Sequence, residues 1–215
     1  MSPYDGPVAV AVVGSERRGG STVTVVREAA RIFGQHRVHL DVVELSDRLV
    51  RPCGPCGDCN TRREPCAVQD DVPELVQRMS RADGVLYALP VHGFGAASTM
   101  QSFIEKAGVG HLRFERPLAN KVGGVVVVGR RYGHLDVVSQ MYHNMLLNRM
   151  VLVGSGFPPV FHTEGREADP LADREGARAL EAMVARMAEM MHLLRRAAAD
   201  HEIVLPVTTR NERVR

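Results

Sequence analysis

The chain has 215 residues, 45% of them hydrophobic and 24% charged, with a formal charge of +2. That is an ordinary composition for a soluble globular domain long enough to bury a core without disulfide staples. No long basic run stands out, which argues against nucleic acid as the main partner. No apolar stretch approaches a membrane span, and the start Met1–Asp5 has no basic n-region, so a cytoplasmic protein with no membrane partner is expected.

Apolar runs alternate with helix-period segments along the chain. Val8–Val13 is a continuous apolar, valine-rich run ending at Gly14 and reads as a buried strand. Thr22–Phe33 has helical spacing, with Ser21 as the expected cap and Gly34 as the stop. Val38–Leu45 reads as the second strand. A helix is expected from Asp71, with Pro73 early and Glu74 completing a capping box. Val85–Leu89 is a third strand that should end at Pro90, and Ser98–Ala107 is helical. Val122–Val128 is a fourth strand, Leu135–Asn148 a helix, Met150–Val153 a short fifth strand and Glu175–Arg196 a long helix.

Five strands alternating with helices predict an α/β fold: a doubly wound five-stranded parallel sheet with helices on both faces, of the flavodoxin-like kind. Residues 1–197 should form that domain and 198–215 a tail, with one short apolar piece at Ile203–Leu205. In such sheets ligands lie beyond the carboxyl ends of the strands, where strand order switches. The loops there are the candidate site.

The first loop runs from Gly14 to Thr22. Ser15, Arg17, Gly20, Ser21 and Thr22 suit a phosphate, because small and hydroxyl residues let backbone N–H groups and the following helix start point at an anion. It is neither G-x-G-x-x-G nor a Walker loop, so dinucleotide and nucleoside-triphosphate sites lose ground. The second loop carries Pro90, Val91, His92, Gly93, Phe94 and Gly95; its glycines allow a flat ring to approach the backbone. The third loop carries Gly129, Arg130, Arg131, Gly133 and His134, positioned to meet ring edges or the phosphates of a nicotinamide nucleotide. No residue is assigned a catalytic role; His92 and His134 are candidates to move protons.

All four cysteines fall in one short segment. Cys53, Cys56, Cys59 and Cys66 form C-x2-C-x2-C-x6-C. Two successive two-residue gaps let one loop wrap several corners of a [4Fe–4S] cluster. Zinc usually takes two such knuckles spaced further apart, and a redox dithiol needs only two thiols. Those two alternatives stay open on spacing alone.

Gly14-Ser15-x-Arg17, the compact cysteine motif closed by Asp70-Asp71, Ala82-Asp83-Gly84, Pro90-Val91 and Lys121-Val122-Gly123-Gly124 occur here in order. In that ordered set the chain resembles the iron–sulfur flavoproteins within the NADPH-dependent FMN reductase family. The resemblance spans about residues 8–155. It implies FMN in the three loops, a [4Fe–4S] cluster in the cysteine loop, NAD(P)H as electron donor, a small-molecule electron acceptor and a homodimer or homotetramer. The expected activity is an FMN-dependent NAD(P)H oxidoreductase. The rivals are a cluster-free FMN, quinone or azo reductase and a non-catalytic electron carrier or redox sensor.

Overall fold

The computed structural model describes residues 5–54, 59, 66–108, 112, 116–165, 168–200 and 205. Its elements are β1 (Val8–Val13), α1 (Ser21–Gln35), β2 (His39–Glu44), α2 (Val72–Arg81), β3 (Gly84–His92), β4 (Gly95–Ala96), α3 (Ser98–Ala107), β5 (Val122–Gly129), α4 (His134–Leu147), β6 (Val151–Leu152), β7 (Val160–His162) and α5 (Arg174–Ala199). The sheet runs β2-β1-β3-β5-β6, and these neighbours are all parallel. The five expected strands and the flavodoxin-like order are therefore present. Two short strands were not foreseen. β4 folds back antiparallel on the end of β3, and β7 continues along the free edge of β5, so the fifth strand position is filled in two pieces.

Alternation along the strands sorts the core into two layers. Val10, Val12, Val85, Tyr87, Leu89, Val125 and Val127 face α2, α3 and α4. Ala9, Ala11, Val13, Leu86, Ala88, Val126 and Val128 face α1 and α5. Successive side chains on a strand point to opposite faces, so a run that is apolar throughout must be covered on both. The long helix α5 spends its apolar stripe, Leu180, Met183, Val184, Met187 and Met191, on this second layer. Gly124 allows that close approach, since a Cβ there would lie 2.5 Å from Met187 Sδ.

Several boundaries differ from expectation for local reasons. β3 continues through Pro90 to His92. Ala88 accepts from Gly14 N at 2.8 Å, so Pro90, two residues on, faces the same side, where β1 has already ended and no N–H is required. α1 passes Gly34; the chain reverses at Arg37, with φ of 57°. Asp71 precedes α2 but does not cap it: its Oδ2 accepts from Leu49 N at 2.8 Å, and Glu74 lies 3.7 Å from Arg48 rather than in a capping box. Among the described residues no helix is long and apolar enough to cross a membrane. Apart from Leu205, the expected tail beyond Asp200 lies outside the described residues.

Candidate functional site

The loops after β1, β3 and β5 meet at the carboxyl ends of these strands, where the sheet order reverses. They enclose a cleft of about 480 Å³, lined among others by Ser15, Arg17, Gly20, Ser21, Thr22, Pro90, Val91, His92 and Gly129. A second groove of about 430 Å³ adjoins it at Val91 and is lined by Gly93, Phe94, Arg130, Arg131 and Tyr132. Both volumes fall in the range of small-ligand sites, about 300–1,000 Å³.

Ser21 is the first helical residue and not the cap. Gly20 stands at the cap position, and no side chain closes the start of α1. The first-turn N–H groups are thus left to an anion, and the helix dipole favours negative charge there. Ser15, 6% exposed, turns its hydroxyl onto the loop itself: Oγ accepts from Arg17 N and donates to Arg17 O, each at 3.2 Å. Arg18 leans away to Asp47 at 2.7 Å, so Arg17 is the better placed clamp. Glu16 also lines the cleft, but its carboxylate accepts from Ser98 Oγ and, at 3.4 Å, from Thr99 Oγ1 at the start of α3. The Ser98 hydrogen bond, with the charge of His92, holds Glu16 below the usual carboxylate range. The Glu16 carboxylate is thereby tied to the start of α3.

The second loop is a two-residue hairpin turn between β3 and β4. Gly93 has φ of 53° and Phe94 φ of 65°, the mirror-image geometry that suits the sheet twist. Phenylalanine rarely adopts that backbone, yet its ring is 67% exposed at the groove, not in the core. Gln140 Oε1 accepts from Ala96 N at 3.3 Å and steadies the hairpin from α4. The third loop locks onto the second at Gly133: its φ is 83°, and a Cβ there would sit 3.0 Å from both Phe94 Cα and Val91 Cγ1. Tyr132, also 67% exposed, forms the opposite rim.

His134 is placed differently from the other loop residues. It is buried, its Nε2 lies 3.2 Å from Phe161 O, and its ring centroid is 4.4 Å from that of His162. Burial, then the charge of His162, lowers its pKa. It supports the loop from beneath and is not among the lining residues of either cleft; Gly95 and Gly133 likewise act through the backbone. Sequence reasoning missed Thr163 and Gly165, which line the cleft after β7. Thr163 N donates to Gly129 O at 2.9 Å, extending the β5–β7 ladder to bring them there. A three-residue strand leaves no readable pattern. Glu16 and Arg18 also line the cleft from inside the first loop, and nothing in their spacing told which arginine is tied to Asp47.

The cysteine segment follows the edge strand β2 and leaves it at the same carboxyl edge of the sheet. Cys53 is exposed, Cys59 and Cys66 are half-buried, and Cys56 lies outside the described residues. Among the described residues no three His, Cys, Asp or Glu side chains are gathered around one point. The segment is closed at its base: Asp71 N donates to Leu49 O at 2.9 Å, Leu49 N to Asp71 Oδ2 at 2.8 Å and Arg51 N to Asp70 Oδ2 at 3.1 Å. Four thiols carried by a loop with joined ends are a donor set suited to an iron–sulfur cluster. The α1 start, its hydroxyls and Arg17 likewise suit a flavin phosphate, with the adjoining groove open to a ring.

Residues 8–163 match the sequence profile of the family described as NADPH-dependent FMN reductase. An iron–sulfur flavoprotein of Methanocaldococcus jannaschii is 30% identical over 151 residues, 69% of this chain and 77% of that protein. An iron–sulfur flavoprotein of Archaeoglobus fulgidus is 25% identical over 189 residues, 85% of this chain and 96% of its own. Among solved structures, RosB with bound 8-demethyl-8-formylriboflavin-5′-phosphate superposes with a TM-score of 0.73 at 19% identity, covering 98% of this chain and 95% of that one.

Proposed function

Because this chain belongs to the NADPH-dependent FMN reductase family, we propose that it is an oxidoreductase that binds FMN between the three loops, takes electrons from NAD(P)H and passes them to a small acceptor. In this reading Cys53, Cys56, Cys59 and Cys66 hold a [4Fe–4S] cluster. The observation that carries the reading is the pair of clefts joined at Val91, one ending on the uncapped start of α1 and the other on Phe94 and Tyr132. Bound FMN supplies two-electron exchange with a nicotinamide and one-electron exchange with a cluster, chemistry that belongs to the cofactors.

The protein's part is binding and placement. First-turn N–H groups of α1, with Arg17, Ser21 and Thr22, hold the phosphate. Backbone from Pro90 to Phe94 lies along one side of the ring, and Gly133 sets how far that hairpin stands from the third loop. Arg130 and Arg131 at the groove supply fixed positive charge for the phosphates of an incoming nicotinamide nucleotide. Glu16, tied to α3, keeps its charge out of the phosphate's way.

The test is anaerobic purification followed by flavin identification, iron and sulfide per chain, and flavin bleaching by NADH and by NADPH. FMN with iron and sulfide, bleached by either nucleotide, is the expected result. FMN without iron would leave a cluster-free reductase. Failure to bind FMN would overturn the proposal.

A further inference from the structure

Asp70 and Lys106 form a buried ion pair, and neither lines either cleft. Their side chains are 0% and 1% exposed, and Lys106 Nζ donates to Asp70 Oδ2. The same carboxylate accepts from Arg51 N at 3.1 Å through Oδ2 and from Val72 N at 3.2 Å through Oδ1. Burial would raise the Asp70 pKa, but the Lys106 hydrogen bond, the two backbone donors and the Lys106 charge hold it below the usual carboxylate range. Three donors thus converge on the Asp70 carboxylate.

Stability alone is a poor reason for such a pair. Desolvating two charges offsets most of their attraction, and well-packed apolar residues often serve as well. What the pair accomplishes is placement. Arg51 lies two residues before Cys53, and Asp70 lies four residues after Cys66. One carboxylate therefore draws together both ends of the segment that carries every cysteine of the chain. Lys106 is in the last turn of α3, whose Met100, Phe103, Ile104 and Ala107 are buried in the core and whose first residues, Ser98 and Thr99, bond Glu16. The lysine is thus mounted on a strut held at its far end by the first loop, about 12 Å away at 1.5 Å per residue.

We infer that Lys106 is a positioning residue for the four-cysteine segment. Through Asp70 it ties the two ends of that segment to α3 and so fixes where the segment leaves and rejoins the fold. The inference deepens the cluster reading and rests on it, but the clamp itself is measurable without iron.

Lys106→Met alone strands a buried carboxylate and risks misfolding, so the decisive variant is Lys106→Met with Asp70→Asn, alongside Lys106→Arg. FMN affinity of the full chain reports that the fold is kept. In iron-free protein, amide hydrogen exchange at Arg51 and Val72 should quicken about tenfold or more in the double variant, because asparagine offers one acceptor oxygen where the carboxylate has two, so one charge-assisted bond becomes neutral and the other is lost. After anaerobic reconstitution it should hold markedly less iron and sulfide, and Lys106→Arg should recover part of both readouts. Unchanged exchange and iron in a double variant that keeps FMN would overturn the inference while leaving the cluster reading intact. A parent chain that takes up no iron would sink the cluster reading, and the exchange rates alone would then decide whether Lys106 clamps the segment.

Discussion

Replacing Gly133 by alanine tests whether the contact between the third and second loops shapes the flavin groove. Gly133 has φ of 83°, and the added methyl would lie 3.0 Å from Phe94 Cα and 3.0 Å from Val91 Cγ1. The left-handed backbone alone costs an alanine roughly 1–2 kcal/mol. Crowding a backbone atom, which cannot rotate aside, adds about 1–3 kcal/mol. Gly156 is the internal control: its φ is 89°, no atom lies within 4 Å of its Cβ position, and it lines neither cleft. Gly156→Ala should therefore show only the backbone cost, with FMN binding unchanged. Gly133→Ala should lose about 1–3 kcal/mol more, lowering Tm by a further ~2–4 °C per kcal/mol in a chain of this size. It should also weaken FMN, because Phe94 and Val91 must move. Urea unfolding of the apoprotein and flavin fluorescence titration read the two effects separately. Equal stability losses in both variants, with FMN affinity untouched, would refute the idea that this contact sets the groove.

Arg17→Ala combined with Thr22→Ala should weaken FMN more than riboflavin, by up to about 1.5–3 kcal/mol for the charged donor and ~0.5–1.5 kcal/mol for the hydroxyl; equal losses for both flavins in parallel titrations would exclude phosphate recognition by this loop. The lowered pKa of His134 predicts that stability is full above the unfolded histidine pKa of about 6.5 and declines as pH falls below it, since the unfolded chain then binds the extra proton first. Urea midpoints across that window should fall less steeply for His134→Gln, and an identical slope would remove His134 as the cause. Light scattering at micromolar concentration should give at least twice the mass of one chain, and a monomer would rule out the expected assembly. The apolar stripe of α5 is buried in the core and is not available to that assembly.

The readable part of this protein lay wherever one local pattern had one physical solution. The valine-rich runs at Val8–Val13 and Val122–Val128, with no polar residue in either, are satisfied as strands covered on both faces, and alternation with helices makes them parallel. Glycine and hydroxyl residues after the first strand, and four cysteines within one short segment, mark chemistry by composition and spacing without reference to distant residues. Pro90 and Ser21 misled because their local preferences are conditional. A proline is tolerated in a strand whose neighbour has ended, and a serine caps a helix only from the position before its first turn. Tertiary structure alone decided the rest. It delivered Thr163 to the cleft on a three-residue strand paired with β5, turned Arg18 toward Asp47, and buried His134 beneath its loop. It also joined Lys106 to Asp70 across 36 positions of sequence. Each of these depends on which surfaces meet once the sheet is assembled. Period, propensity and spacing describe only a residue's own neighbours along the chain, so they carry no record of such meetings.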